Sequence, residues 1–200
     1  MRQQNRNYFN PQNFDDISQG SQQAIVILNT GTSYTLGNTS LWEVNLTVNV
    51  SSAGTTPFFA FGVNSDQTAN GGGSILNLIT DLLIQAKSGE QLARVQYFNQ
   101  WASAVLPFAK DREAYNYYMG MMGGAVDRIV GGQLIKQYPL YPVNRPVRFT
   151  IPLALIHGLF ATQAPLPPML LSGSTIIMNF GDVNKGIKLY DVALAPTNTK

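Results

Sequence analysis

From Leu41 to Val50 the chain reads LWEVNLTVNV. Trp42, Val44, Leu46, Val48 and Val50 are apolar, and Glu43, Asn45, Thr47 and Asn49 between them are polar. A period of two predicts a strand with one face buried and one face wet. Seven further runs read as strands. AIVILN begins at Ala24, and FFAFGV begins at Phe58. The stretch SILNLITDLLIQAKSGEQLARVQ is compatible with two readings. Leu76, Leu78, Leu82 and Ile84 alternate in phase with Thr80, while Ile75, Ile79, Leu82 and Leu83 fit a helical stripe. The Lys-Ser-Gly-Glu turn between two apolar runs decides for a β-hairpin, which supplies two strands. PVRFTIPL alternates Val147, Phe149, Ile151 and Leu153 against polar and proline positions. Pro146 suits a strand start and Pro152 a strand end. STIIMNF and IKLYDVALA complete the set.

One region breaks this rhythm. In QYFNQWASAVLPFAKDREAYNYYMGMMGG, Phe98, Trp101, Ala102 and Val105 recur at helical spacing. The pattern predicts a helix ended by Pro107, and a second one capped by Asp111 and stopped by Gly123 and Gly124. ALIHGLF reads as a helical turn. Residues 1–23 have no periodicity and read as an extended arm. The fold class expected is all-β: an eight-stranded antiparallel jelly-roll sandwich with a short helical excursion around residues 96–122. The organisation expected is an arm at 1–23, a single jelly-roll domain at 24–195 and a tail at 196–200.

Composition sharpens the picture. Charged residues make up 12% of the chain, about half of the usual ~25%. The net charge is +2, with no clustered basic face to capture nucleic acid. Asn, Gln, Ser, Thr and Gly carry the polarity instead. Charge opposes association, so its scarcity fits a subunit whose flanks are covered by copies or partners. The opening segment MRQQNRNYFNPQNF lacks the apolar stretch of a signal peptide, and no run of ~18 apolar residues predicts a membrane span.

Catalytic chemistry finds little support. The chain has no cysteine, which excludes disulfides, thiolate metal sites and cysteine nucleophiles. His157 is the single histidine and sits in the apolar context LALIHGLF, where a structural role outweighs a catalytic one. The several histidines of a cupin-type metal site are not there. Asp15–Asp16 and Asp111–Glu113 do not mark the facing carboxylates of a glycosidase. The glycine runs GGGS, GMMGG and VGGQ read as flexible loops and hinges, not phosphate cradles. We therefore expect no enzyme activity, no cofactor, no metal and no small-molecule substrate. Phe9, Phe14, Trp101, Tyr115, Tyr117, Tyr118, Met119, Met121 and Met122 form the candidate subunit interface, because Tyr and Met are enriched where proteins meet. Arg2 and Arg6 are the candidate contact with genome or an internal membrane.

Three stretches carry a likeness to a known family. They are YTLGNTSLWEVNLTVNV, SILNLITDLLIQAKSGEQLARVQYFNQWASAVLPF and VRFTIPLALIHGLFATQAPLPPMLLSGSTIIMNF, with KLYDVALA as a closing strand. In order and pattern the chain resembles the jelly-roll major capsid proteins of tailless icosahedral DNA viruses, the lineage of virophages, polinton-like viruses, adenovirus-like viruses and tailless phages. Many members fuse two jelly rolls, whereas this chain has length for one, so it is more similar to the single-jelly-roll members or to penton proteins. The resemblance implies a capsid subunit in the virion, assembled inside the host cell. Its partners would be copies of itself and other capsid proteins, with the major capsid role favoured over the penton. The competing reading is a lectin-like β-sandwich that holds carbohydrate through exposed Tyr and Trp.

Overall fold

The computed structural model describes residues 23–28, 34–50, 58–61, 73–109, 112–181 and 186–190. In chain order the strands are Gln23–Leu28 (β1), Thr35–Leu36 (β2), Leu41–Thr47 (β3), Phe58–Phe61 (β4), Ile79–Gln85 (β5) and Gln91–Gln96 (β6). They continue with Val126–Val130 (β7), Gln133–Gln137 (β8), Tyr141–Pro142 (β9), Pro146–Pro152 (β10), Pro165–Leu166 (β11), Ser174–Phe180 (β12) and Ile187–Tyr190 (β13). The helices are Phe98–Ala109 (α1), Arg112–Met121 (α2), Leu153–Ile156 (α3), Gly158–Ala161 (α4) and Pro168–Leu171 (α5). Strand outweighs helix, and every strand pairing among the described residues is antiparallel. Each of the eight runs read from the sequence contains a strand, but there are thirteen strands among the described residues, and Ile75–Leu78, read as the start of the strand before the hairpin turn, is a 3-10 turn. β2, β7, β8, β9 and β11 were not read as strands.

Four pairings are nested in the sequence: β1 with β12, β2 with β11, β3 with β10, and β4 with β9. The chain thus runs out along one set of strands and returns along another. The local hairpins β5–β6 and β7–β8 lie inside this nest. The chain forms two compact units, each assembled from three separate stretches.

The first unit comprises residues 1–40, 79–98 and 153–181. Its centre is a four-stranded sheet in the order β1-β12-β5-β6. Ala24, Val26, Leu28, Leu82, Ile84, Ile176 and Met178 fill the buried face. On the other face Ile25, Ile177 and Leu83 stand in register as a half-buried apolar row. Beside it runs a polar row. Gln23 Nε2 donates to Asn179 Oδ1 (3.0 Å), and Asn179 Nδ2 donates to Asp81 Oδ2 (3.3 Å). Arg94 grips the same Asp81 carboxylate through Nη2 (3.1 Å) and Nε (3.4 Å), so all four strands are tied at one end. The β5–β6 turn closes as the Lys-Ser-Gly-Glu reading predicts. The Ala86 N–H donates to Glu90 O (2.8 Å), and the Gly89 N–H donates to Ala86 O (2.9 Å). ALIHGLF is helical, as α3 and α4. His157 caps α4, its Nδ1 accepting the Leu159 N–H (3.1 Å).

The second unit comprises residues 41–78, 99–152 and 182–200. β3 pairs with β10 so that Trp42, Val44 and Leu46 face the same way as Ile151, Phe149 and Val147. Glu43, Asn45 and Thr47 point to the wet side, where Glu43 is paired with Arg148. The alternation of faces is as predicted, but the depth is not: Trp42, Val44 and Leu46 are half-buried, whereas Phe149 and Ile151 are fully buried. β3 has β10 as its one strand partner among the described residues, so its apolar side is flanked on one edge only.

The core of this unit is an aromatic cluster. Phe61 and Phe149 meet edge to face at 5.1 Å, and Tyr141 meets Phe149 at 5.0 Å and Phe59 at 5.5 Å. Such pairs contribute about 0.5–1.5 kcal/mol each beyond the area they bury. α2 ends against this cluster. Gly123 takes φ +77, which lets the Gly124 N–H reach back to Met119 O (2.7 Å) and close the helix end. A Cβ at Gly123 would lie 2.5 Å from the Phe149 ring and 2.7 Å from the Phe61 ring.

Two helical expectations are corrected. α1 runs through Pro107 to Ala109. With two residues left after it, the proline removes one backbone hydrogen bond in a turn that is ending anyway. The buried line of α1 is Phe98, Ala102 and Leu106, while Trp101 and Val105 lie on the open side. Spacings of three and four both fit one face, and the sequence pattern picked the wrong flank of it. Asp111, residues 1–22 and residues 196–200 lie outside the described residues.

Gly123→Ala should destabilise the fold well beyond the cost of left-handed backbone alone, which is about 1–2 kcal/mol. Gly131→Ala isolates that backbone cost, since Gly131 also has positive φ and nothing lies within 4 Å of its Cβ position. Urea denaturation of the two variants checks this. Equal losses would show that the rings do not confine Gly123.

Candidate functional site

The aromatic and methionine cluster read from the sequence divides in two. Met119 and Met122 are 2% and 1% exposed and belong to the interior of the second unit. The Met122 carbonyl there accepts the Ile75 N–H at 3.0 Å. As subunit-contact residues these two are corrected: Met119, in the last turn of α2, and Met122, the residue that follows the helix, point into the unit's interior. Tyr115, Tyr118 and Met121 are half-buried. Tyr117 is 66% exposed and stacks edge to face on Tyr118 at 5.7 Å. Burial pushes the Tyr115 hydroxyl above its ordinary pKa, and the Asp127 carboxylate and Tyr138 add to that. Trp101 and Tyr117 thus remain as large aromatic surface on the helical segment. Phe9, Phe14, Arg2 and Arg6 lie outside the described residues.

A second surface went unread in the sequence. VGGQ is not a hinge but the tip of the β7–β8 hairpin. Gly131 and Gly132 take φ +59 and +79, the pair of positive values that a tight two-residue hairpin turn needs. Gly-Gly between two apolar runs is a hairpin signal, and it was legible. The base of the hairpin is anchored to α2, where the Asp127 N–H donates to Asn116 Oδ1 at 3.1 Å. Beyond that base Ile129, Val130, Leu134 and Ile135 are 73%, 50%, 53% and 42% exposed. Ile129 stands across from Leu134 on one face, and Ile135 across from Arg128 on the other, so both faces of the ribbon carry open apolar groups.

Catalytic groupings are sparse. Among the described residues no three His, Cys, Asp or Glu side chains gather in a metal-holding group. The Asp81–Arg94 pair is absorbed in the polar row across the sheet. His157 is committed to its cap, and burial lowers its pKa from the ordinary value. What the described surface offers is exposed apolar side chains on the hairpin strands and aromatic side chains on the helical segment. Neither a protein-family model nor a curated protein matches the sequence.

The His157 cap predicts a pH dependence. Its Nδ1 can accept from Leu159 only while unprotonated, and its folded pKa lies below the unfolded value of about 6.5. The unfolded chain therefore takes up the proton first as pH falls. The stabilisation is complete above about 6.5 and is lost as pH drops through the folded value. Thermal melts from about pH 7.5 to 5.5 should show a falling midpoint. His157→Asn, which keeps an acceptor at the cap, should flatten that slope. An unchanged slope in the variant would contradict the assignment.

Proposed function

We propose that the chain is a structural subunit of an icosahedral viral shell, a single jelly roll of the major-capsid type that self-associates into capsomers. The observation that best supports this reading is the nesting of β1–β12, β2–β11, β3–β10 and β4–β9. A jelly roll is a long antiparallel ribbon folded over on itself, so its early strands pair with its late ones in nested order. Two pairings cross the nested plan: β5 lies on the far edge of β12, and β13 on the far edge of β4.

Surface chemistry supports the same reading. A shell subunit meets neighbours on several flanks and benefits from a low charge density there. The wet side of β3 carries one ion pair, and otherwise Asn and Thr. The sheet of the first unit shows apolar side chains on both faces. In this reading the β framework is a rigid block, and the open strands, hairpin and helix faces are the adhesive surfaces. No bond is made or broken.

Purified full-length protein, brought to high concentration at moderate salt, should sediment as species far heavier than a monomer. Negative-stain images should show rings or closed particles of uniform size. A monomer at every concentration and salt tested, together with specific retention on immobilised glycans, would replace this reading with the carbohydrate-binding one.

A further inference from the structure

The methionines of this chain differ sharply in how far water reaches them. Met119, Met122 and Met178 are 2%, 1% and 1% exposed, and Met121 is half-buried. Met169 is 93% exposed, more than any other large apolar side chain among the described residues. Met1 lies outside the described residues.

The fold holds Met169 out. It sits on α5, in the run APLPPMLLSG. Pro168 opens this helical turn with a backbone already suited to it. The Leu170 N–H donates to Pro167 O (3.0 Å), and the Ser172 N–H donates to Pro168 O (2.7 Å), so the turn is closed. Leu171 is 1% exposed and roots it in the interior. The Ser174 hydroxyl donates to Leu170 O (3.1 Å), and the Gly173 N–H donates to Leu28 O (2.6 Å), which ties the turn to β1. At about 3.6 residues per turn, a side chain two positions before Leu171 points away from the interior. The anchored, proline-stiffened turn cannot bring Met169 inward without breaking these bonds.

We propose that Met169 is a redox modification site. Hydroperoxides oxidise it to the sulfoxide while the buried methionines are spared, and methionine sulfoxide reductases return it to the thioether. In the forward step the sulfur attacks one peroxide oxygen. An S–O bond forms and the O–O bond breaks. Sulfur gives up two electrons, and the peroxide is reduced to water or an alcohol, which takes the proton released by the transferred oxygen. In the reverse step two thiols of the reductase system become a disulfide, and the oxygen leaves as water. The forward step needs the sulfur within reach of the peroxide, and packed side chains prevent this at Met119, Met122 and Met178. Oxidation there would also force a polar group into the core. At Met169 the added oxygen stays in water, so the fold is unaffected. An apolar tip becomes a polar one and can be turned back.

The test treats dilute full-length protein with hydrogen peroxide, quenches it at intervals with free methionine, and maps the digest by tandem mass spectrometry. Sulfoxide at Met169 should form roughly tenfold faster or more than at Met119, Met122 or Met178. Protein oxidised at Met169 alone should keep the parent's melting temperature. The two sulfoxide reductases, one for each epimer, should remove the oxygen from the folded protein in the presence of dithiothreitol. Met169→Leu should lose the fast phase and melt as the parent does. Oxidation of the buried methionines at a rate comparable to Met169, or a lower melting temperature after oxidation of Met169 alone, would overturn the proposal. A sulfoxide at position 169 that the reductases leave in place would overturn its reversibility.

Discussion

The backbone hydrogen bonds of a β-strand must be satisfied by another strand, and in this chain the partners are far apart. Gln23 meets Asn179 across 156 residues of sequence. Everything else depends on that return. Until the late strands arrive, β1 and β3 each present an open edge and an apolar face. Contacts of such long sequence separation must close large loops before they are rewarded, which makes folding slow and the intermediates sticky. The local hairpins β5–β6 and β7–β8 and the two helices can form early, and the nested pairings follow.

The same requirement, unmet at the periphery, produces the surface chemistry. β3, β6 and the β7–β8 hairpin each keep an edge with no strand partner among the described residues. A soluble protein usually defends such edges with charge. Here the defence is thin: Arg94 with Asp81, Arg148 with Glu43, and the amides of the β3 wet side. Exposed ion pairs of this kind contribute about 0–1 kcal/mol to stability. Apolar burial contributes roughly 25 cal/mol per Å². Weak charge of this kind leaves the flanks open to the self-association proposed above.

How much of this the sequence disclosed depends on the length scale of the signal. The faces of Leu41–Thr47 followed from alternation alone, because side chains on a pleated strand must alternate. The β5–β6 turn followed from Lys-Ser-Gly-Glu, and the helical segment from the loss of β-branched residues after Tyr97. Depth of burial did not follow. Val44 and Phe149 look alike as apolar strand residues, yet one is half-buried and the other fully buried, because depth is set by what packs above them. The inward turn of Met119 and Met122 has the same cause. Gly131–Gly132 was misread for another reason: a glycine pair serves a hinge and a hairpin equally, and only the apolar runs on either side tell them apart. The pairing order was the least legible, since nothing in β1 names β12 as its partner.

The central proposal is that this chain self-associates through its open strand edges. Amide hydrogen exchange of the full-length protein, followed from dilute to concentrated solution, addresses it most directly. The account predicts that amides of residues 133–137 gain protection as concentration rises, while those of β12, already flanked on both sides within the chain, stay constant. Exchange in residues 133–137 that is fast and independent of concentration, in solutions where the protein sediments as assemblies, would contradict it.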